Sequence, residues 1–117
     1  MMHFTTEKGA VTISDDVVSN IAGYAASAAF GVKGMATRSR TDGLVHLLRR
    51  EVMSKGVEVT YNEDNSVSID LHIMVEHGVN IAAIGPSIIN RVNYEVSKMT
   101  GAEVRTVRVF IDSISVD

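Results

Sequence analysis

A change in the spacing of the apolar residues, between residues 57–75 and residues 81–99, constrains the fold of this chain more than any other feature. In the first stretch apolar and polar residues alternate, as they do along strands with one buried face. In the second stretch the apolar residues recur at helical spacing. The alternating set is Val57, Val59, Tyr61, Val67, Ile69, Leu71, Ile73 and Val75, and the helical set is Ile81, Ile84, Ile88, Val92, Val96 and Met99. We therefore predict an antiparallel hairpin that turns at residues 62–65 and is followed by a long helix.

Pro86 stands inside this helical set, so the helix either begins at Pro86 or continues through it from Ile81. Because the apolar stripe stays in phase across the proline, we predict one helix, bent near its start and closed by Gly101. A last strand follows, and its apolar phase changes between Ile111 and Ile114, which predicts a bulge or a twist. A long helix between two strands permits a right-handed crossover, so the hairpin's second strand and the last strand should be parallel.

The N-terminal part reads as a short strand, "GAVTIS", followed by a helix that starts after Ser14 and a second short strand, "VKGMA". Gly31 is expected to end the helix. The buried stripe of the helix is predicted to hold Val18, Ile21, Ala22, Ala25 and Ala29, and the outer stripe Asp16, Asn20, Gly23 and Ser27. Alanine lets a helix approach its neighbour closely, so the small residues indicate tight packing on a sheet.

These elements predict a single domain over residues 1–117 of the α+β class. The expected architecture has two layers: a mixed, mostly antiparallel sheet with two long helices on one face, and one short helix. The short helix is predicted in "LVHLLRREV", residues 44–52, with Thr41 or Asp42 as its cap.

The composition excludes several kinds of function. The chain has no Cys, which excludes disulfides, thiolate nucleophiles and cysteine metal ligands. It shows no stretch resembling a membrane span or a signal peptide, so we expect a cytoplasmic protein. The four histidines do not converge in the predicted strands and loops, and Asp70, His72 and Glu76 are interpreted as the solvated face of a strand. We therefore expect no metal, no cofactor and no enzymatic activity.

The charge is distributed unevenly along the chain. The net charge is −3, but residues 33–55, which we call the basic segment, sum to +4 and leave −7 on the remainder. Arg38, Arg40, Arg49 and Arg50 of this segment are the candidate partner-binding residues, since arginine offers a planar fork to carboxylates and phosphates. The competing interpretation is that the segment is only a solvated loop and helix face.

Three stretches resemble the alkaline shock protein family of Gram-positive bacteria, also called the envelope stress response family. They are "GAVTISDDVVSNIAGYAASAAFGVKGM", "SKGVEVTYNEDNSVSIDLHIMVEHGVNI" and "VNYEVSKMTGAEVRTVRVFIDSI". The block "DGLVHLLRRE" resembles the short single-domain branch of that family, which is often encoded beside a dihydroxyacetone-kinase-like, or fatty acid kinase, protein. Pro86 departs from the family pattern, which reads as uninterrupted helix there.

The resemblance implies a non-enzymatic interaction or scaffold protein linked to cell-envelope stress or homeostasis. It also implies protein partners, among them a membrane-anchored family protein or a fatty acid kinase, and self-association. An accessory subunit of such a kinase is the first alternative. A nucleic-acid binder that uses the basic segment is the second, although only 5% of the residues are aromatic, which disfavours base stacking.

Overall fold

The structure is a computed structural model, and it describes residues 2–36 and 56–116. Two helices and six strands follow one another in the described residues. In chain order they are β1 (Met2–Thr6), β2 (Gly9–Ile13), α1 (Asp15–Ser27), β3 (Val32–Met35), β4 (Val57–Tyr61), β5 (Ser66–Glu76), α2 (Ile81–Thr100) and β6 (Glu103–Ser115). The predicted short helix lies outside the described residues.

Strand β5 is the centre of a four-stranded mixed sheet. One of its edges pairs antiparallel with two strands in succession: β4 along Val67–Leu71 and β3 along Ile73–Val75. Its other edge pairs parallel with β6 along the whole length of β5. The predicted hairpin and the predicted parallel pairing of the last strand are both confirmed.

Both helices cover the same face of this sheet. Alternate residues of β5 point to that face and are fully buried: Val67, Ile69, Leu71, Ile73 and Val75. They form one apolar core with Val18 and Ala22 of α1 and with Ile88 and Val92 of α2. The predicted α+β class with a helix layer on a mixed sheet is confirmed. The opposite face of the sheet, which we call the open face, carries neither α1 nor α2.

Helix α2 continues through Pro86, as the unbroken stripe predicts. The helix begins after Asn80, whose side-chain oxygen accepts a hydrogen bond from the Ala83 N–H at 3.3 Å. Pro86 removes the hydrogen bond that would reach the carbonyl of Ala82. Because both residues are exposed, that carbonyl can bond to water instead. Gly101 ends the helix with a left-handed φ of 75°.

Helix α1 differs from the predicted helix in three details. Ser14 stands at the N-cap, but its side chain makes no capping hydrogen bond. Gly23 was predicted on the outer stripe, but it is buried with Ala22 and Ala26. Gly31 adopts the left-handed conformation, with φ 87°, in the turn before β3 and not at the helix end, because the helix already ends at Ser27.

The sequence pattern did not predict β1. It pairs antiparallel with β2, and the two strands form a separate two-stranded sheet, so β2 does not join the main sheet. Met2 of β1 is buried in the core, and the Phe4 ring lies next to Gly101 at the end of α2. The inner apolar residues of β1 therefore hold the β1–β2 hairpin against the end of the helix layer.

Tyr61 links the end of β4 to the start of α1. Its hydroxyl lies beside the Asp15 carboxylate; burial raises the pKa of Tyr61 to about 12, and the negative charge of Asp15 adds to the rise. Burial and the nearby negative charge therefore favour the neutral form of the Tyr61 phenol.

The predicted change of phase in β6 is a real irregularity. The pairing of β6 with β5 shifts between Ile111 and Ser113, which leaves Asp112 as an extra residue. A second shift lies between Val104 and Thr106. Between these two points, from Thr106 to Ile111, β6 follows β5 without interruption.

Candidate functional site

Ala36 and Gly56, the last and first described residues on either side of the four candidate arginines, meet at one point, the backbone of His72 in the middle of β5. The Ala36 N–H donates to the His72 carbonyl at 2.8 Å, and the His72 N–H donates to the Gly56 carbonyl at 2.7 Å. The four candidate arginines, Arg38, Arg40, Arg49 and Arg50, lie outside the described residues. The structure therefore fixes the two ends of the stretch that carries them.

Gly56 allows its own backbone to lie in close contact with the backbones of Ala36 and His72. A Cβ atom at Gly56 would lie 2.6 Å from the His72 carbonyl oxygen and 2.8 Å from that of Ala36. Both distances are shorter than real Cβ contacts, and backbone atoms have little freedom to move away. A glycine is therefore needed where β3 ends and β4 begins beside the same residue.

Five side chains of the open face surround this point, and we call them the polar cluster. They are Asp70, His72, Arg108, Phe110 and Asp112. The register of β5 and β6 places Asp70 beside Arg108 and His72 beside Phe110. Two chain segments about 40 residues apart thus supply one continuous row of charged and aromatic groups.

Asp70 and Arg108 form a two-point ion pair in this cluster. Arg108 Nε donates to Asp70 Oδ1 at 2.8 Å, and Arg108 Nη2 donates to Asp70 Oδ2 at 2.7 Å. This hydrogen bonding and the negative charge of Asp70 raise the pKa of Arg108 above its ordinary value, with a further contribution from Glu58 on β4. Since the Arg108 side chain is 65% exposed, the pair is worth little to stability, and its charges remain available to a partner.

His72 is the buried member of the polar cluster. Its ring stacks on the Phe110 ring at a centroid distance of 4.8 Å, and its Nδ1 lies 3.1 Å from Asp112 Oδ2. The prediction of a solvated strand face is wrong for His72, which is only 6% exposed, because a neighbouring aromatic ring covers it. Glu76 is exposed as predicted, and Asp70 is half-buried in its ion pair.

The His72 ring contacts two other members of the polar cluster. A histidine oriented by a carboxylate also occurs in catalytic triads, but there the other ring nitrogen faces a nucleophile. In the described part of the chain, the contacts found for the His72 side chain are with Asp112 and Phe110. Within residues 2–36 and 56–116, no group of three or more His, Asp or Glu side chains is placed to hold a metal ion.

Sequence reasoning found the carboxylates of β5 but missed their partners on β6. Phe110 interrupts the alternation of β6 with a large apolar residue on the polar side, and that was the available signal. Arg108 and Asp112 carried no local signal, because their pairing depends on the register between two distant strands.

A second surface lies on the other side of the molecule, in the groove between α1 and α2. The groove has a volume of about 340 Å³ and a mixed apolar and charged lining. Its lining residues are Asn20, Ile21, Tyr24, Ala25, Arg91, Glu95 and Met99. Tyr24 and Met99 are each 65% exposed, so this groove is a shallow surface feature and not an enclosed cavity.

Neither α1 nor α2 combines the length and the apolar character that crossing a membrane requires.

Comparison with known proteins gives one family and several relatives. The model of the alkaline shock protein 23 family, described as having a cell envelope-related function, matches residues 3–116. The chain is 33% identical over 112 residues to the uncharacterized protein YloU of Bacillus subtilis, which covers 95% of this chain and 92% of YloU. It is 34% identical to the uncharacterized protein Spy1614 of Streptococcus pyogenes, with the same two coverages.

A third relative is the uncharacterized protein YqhY of Bacillus subtilis, 31% identical over 117 residues, which covers all of this chain and 85% of YqhY. No solved structure gives a significant match to the chain. The matches therefore run over nearly the full length of the chain and of each relative.

Proposed function

The chain belongs to the alkaline shock protein 23 family, and on that premise we propose that it is a non-catalytic interaction protein of cell-envelope homeostasis. It acts in the cytoplasm and reaches the membrane through a protein partner. The arginines of the basic segment bind that partner, and the bound partner lies against the polar cluster.

One observation carries this proposal: Ala36 and Gly56, the described residues on either side of the stretch that holds the four arginines, both hydrogen-bond to the backbone of His72, a member of the polar cluster. A segment whose ends are hydrogen-bonded to the middle of a sheet is mounted on a rigid base. Loops on such a base commonly carry recognition residues. The Asp70–Arg108 pair and the Phe110 ring lie beside His72, the point at which the described chain on each side of the arginines is attached.

The charge pattern defines the chemistry of the partner. The basic segment sums to +4 in a chain of net charge −3, so an acidic protein surface is attracted to one part of the molecule and repelled by the rest. Such a distribution orients the partner before contact and makes association sensitive to salt. Guanidinium groups then bind carboxylates in a two-point geometry, as Arg108 binds Asp70 within the chain.

The test is capture of partners from the native cell, with membrane and cytoplasmic fractions kept apart and proteins identified by mass spectrometry. The test variant reverses the four arginines to glutamate: Arg38→Glu, Arg40→Glu, Arg49→Glu and Arg50→Glu. We expect it to lose the main partner while its melting temperature stays near that of the wild type. The wild-type association should weaken between low and physiological salt, because exposed charges are screened.

A matched control distinguishes the effect of where the reversed charges lie from the effect of the change in net charge. Lys8, Arg91, Lys98 and Arg105 are exposed, lie outside the basic segment, and change the net charge equally when reversed to glutamate. This control should keep the partner. If both reversed variants lose it, net charge and not the segment controls binding, and the proposal is wrong. A fatty acid kinase as the captured protein identifies the accessory-subunit role, and captured nucleic acid contradicts the proposal.

A further inference from the structure

The outer edge of β6 is an unused pairing edge, and we propose that it pairs antiparallel with β6 of a second copy of this chain. The inference deepens the proposed interaction role and rests on it for its biological meaning. It adds the surface and the partner through which the chain assembles with itself.

Strand β6 has the properties of an edge that is built to be paired. It is 13 residues long, and among the described strands only β5 pairs with it. Its sequence, EVRTVRVFIDSIS, contains neither proline nor lysine, which commonly protect such edges. Irregularities also protect edges, but the two in β6 lie outside Thr106–Ile111 and leave that stretch regular. The basic segment begins and ends on the opposite side of β5. Nothing in the described part of the chain therefore competes for the outer edge of β6.

The row of apolar side chains on β6 is incompletely buried in a single copy of the chain. Val107, Val109 and Ile111 face the helix layer but are only half-buried, whereas their β5 neighbours Ile69, Leu71 and Ile73 are fully buried. A further strand paired with the outer edge of β6 would help to bury these side chains, just as the strands on both edges of β5 help to bury its side chains. Burial of β-branched residues across a new strand pair is a main source of sheet stability.

The side chains distinguish the two registers that pair five residues of the regular stretch, one centred on Arg108 and one centred on Val109. Around a two-fold axis, β6 can pair regularly only within Thr106–Ile111, the stretch without irregularities. A pair centred on Arg108 places two arginines opposite each other, which is unfavourable. A pair centred on Val109 places Val107 opposite Ile111 and Arg108 opposite Phe110. Arg108 already lies over the Phe110 ring of its own copy, at 5.3 Å from the centroid, so this contact type is compatible with both side chains.

The arrangement also requires the helices of the two copies to lie side by side. A two-fold axis perpendicular to the sheet places the second α2 beside the first, over the joined β6 strands. Arg91 and Glu95 line the groove toward α1, and helical spacing puts Asn93 and Ser97 on the other side of α2. Asn93 and Ser97 have short side chains, which allows the two helices to approach.

The experiment is disulfide crosslinking of the purified chain, which contains no natural cysteine. In the register centred on Val109, the two copies of that residue are directly opposite, with Cα atoms about 4.5–5.5 Å apart. A disulfide spans that distance. Val109→Cys should form a reducible dimer under mild oxidation, and the wild type should show a mass twice the 12.6 kDa of one chain by light scattering.

Val107→Cys is the matched control, because Val107 has the same residue type, strand face and half-burial. Its two copies are offset by four residues, about 14 Å along the strand, and should not crosslink. A mixture of Val107→Cys and Ile111→Cys should crosslink. Equal crosslinking of Val107→Cys and Val109→Cys, or a wild type that stays at the mass of one chain at all concentrations, overturns the proposal. The assay contains no other protein, so its failure leaves partner capture by the basic segment untouched.

Discussion

At the scale of single residues, Gly56 shows how little space surrounds the point where the basic segment is mounted. The carbonyl oxygens of His72 and Ala36 lie where its Cβ would be, and both belong to backbone that is already hydrogen-bonded. A side chain of any size must therefore push β3 and β4 apart. The same residue type at Gly34, in β3, has nothing within 4 Å of its Cβ position.

These two glycines make a matched stability test. Gly56→Ala should destabilise the fold by about 1–3 kcal/mol, because the added methyl group overpacks against backbone. Gly34→Ala should change stability by less than about 0.5 kcal/mol. Chemical denaturation of both variants measures the difference. Equal midpoints would show that the two ends of the segment do not meet at His72 as described.

His72 illustrates which features of a site can be predicted from the sequence. Alternation along β5 places His72 with Asp70 and Glu76 on one face, and the structure agrees. Its burial depends on Phe110 and its polar contact on Asp112, which is 40 residues away in sequence. The period of one strand gives the face of a residue, but only the register between strands gives its neighbours.

At the scale of elements, α1 is a helix whose small residues serve packing. Val18, Ala22, Ala25 and Ala26 are almost fully buried, and α1 packs on α2 as well as on β3 and β4. A stripe of alanines lets the helix lie close to two neighbouring surfaces at the same time. Sequence reasoning identified this packing role but misplaced Gly23, because helix α1 buries a wider arc than one stripe.

Two alanines of this region test the packing directly. Ala22 is fully buried and Ala28, just after the helix, is exposed. Ala22→Leu should destabilise the protein by about 1–3 kcal/mol through overpacking, and Ala28→Leu by less than about 0.5 kcal/mol. Thermal unfolding followed by circular dichroism compares them. A similar loss in both variants would contradict close packing of α1.

Most elements were predictable because each has a long periodic pattern or a clear end signal. The hairpin, the passage of α2 through Pro86, and the irregularity after Ile111 all have such signals. β1 has only five residues and a turn at Glu7–Lys8 without a strong turn signature, so it was missed. Its stability comes from Met2 and Phe4 packing on the rest of the molecule, which is a tertiary effect.

At the scale of the whole molecule, the two edges around β5 have different roles in this account. One edge, formed by β3 and β4, mounts the basic segment beside the polar cluster. The other edge, formed by β6, is the one that we propose to pair with a second copy. With both proposed contacts, the molecule would join like chains through one edge and bind a different protein at the other.

We propose that this chain acts by binding and not by chemistry, and growth under cell-envelope stress in a strain that lacks the natural gene copy tests the proposal. Complementation is compared for the wild type, for Asp112→Asn, for Glu76→Gln, and for the variant with Arg38, Arg40, Arg49 and Arg50 reversed to glutamate. Asp112 and Glu76 are carboxylates of the open face that could act as an acid or a base, and the amide at either position keeps the size of the side chain that a partner would contact.

We expect near wild-type growth with either single variant and loss of rescue with the arginine-reversed variant, all three being folded by circular dichroism. Growth that fails with folded Asp112→Asn or Glu76→Gln, while the arginine-reversed variant rescues fully, would contradict the proposal.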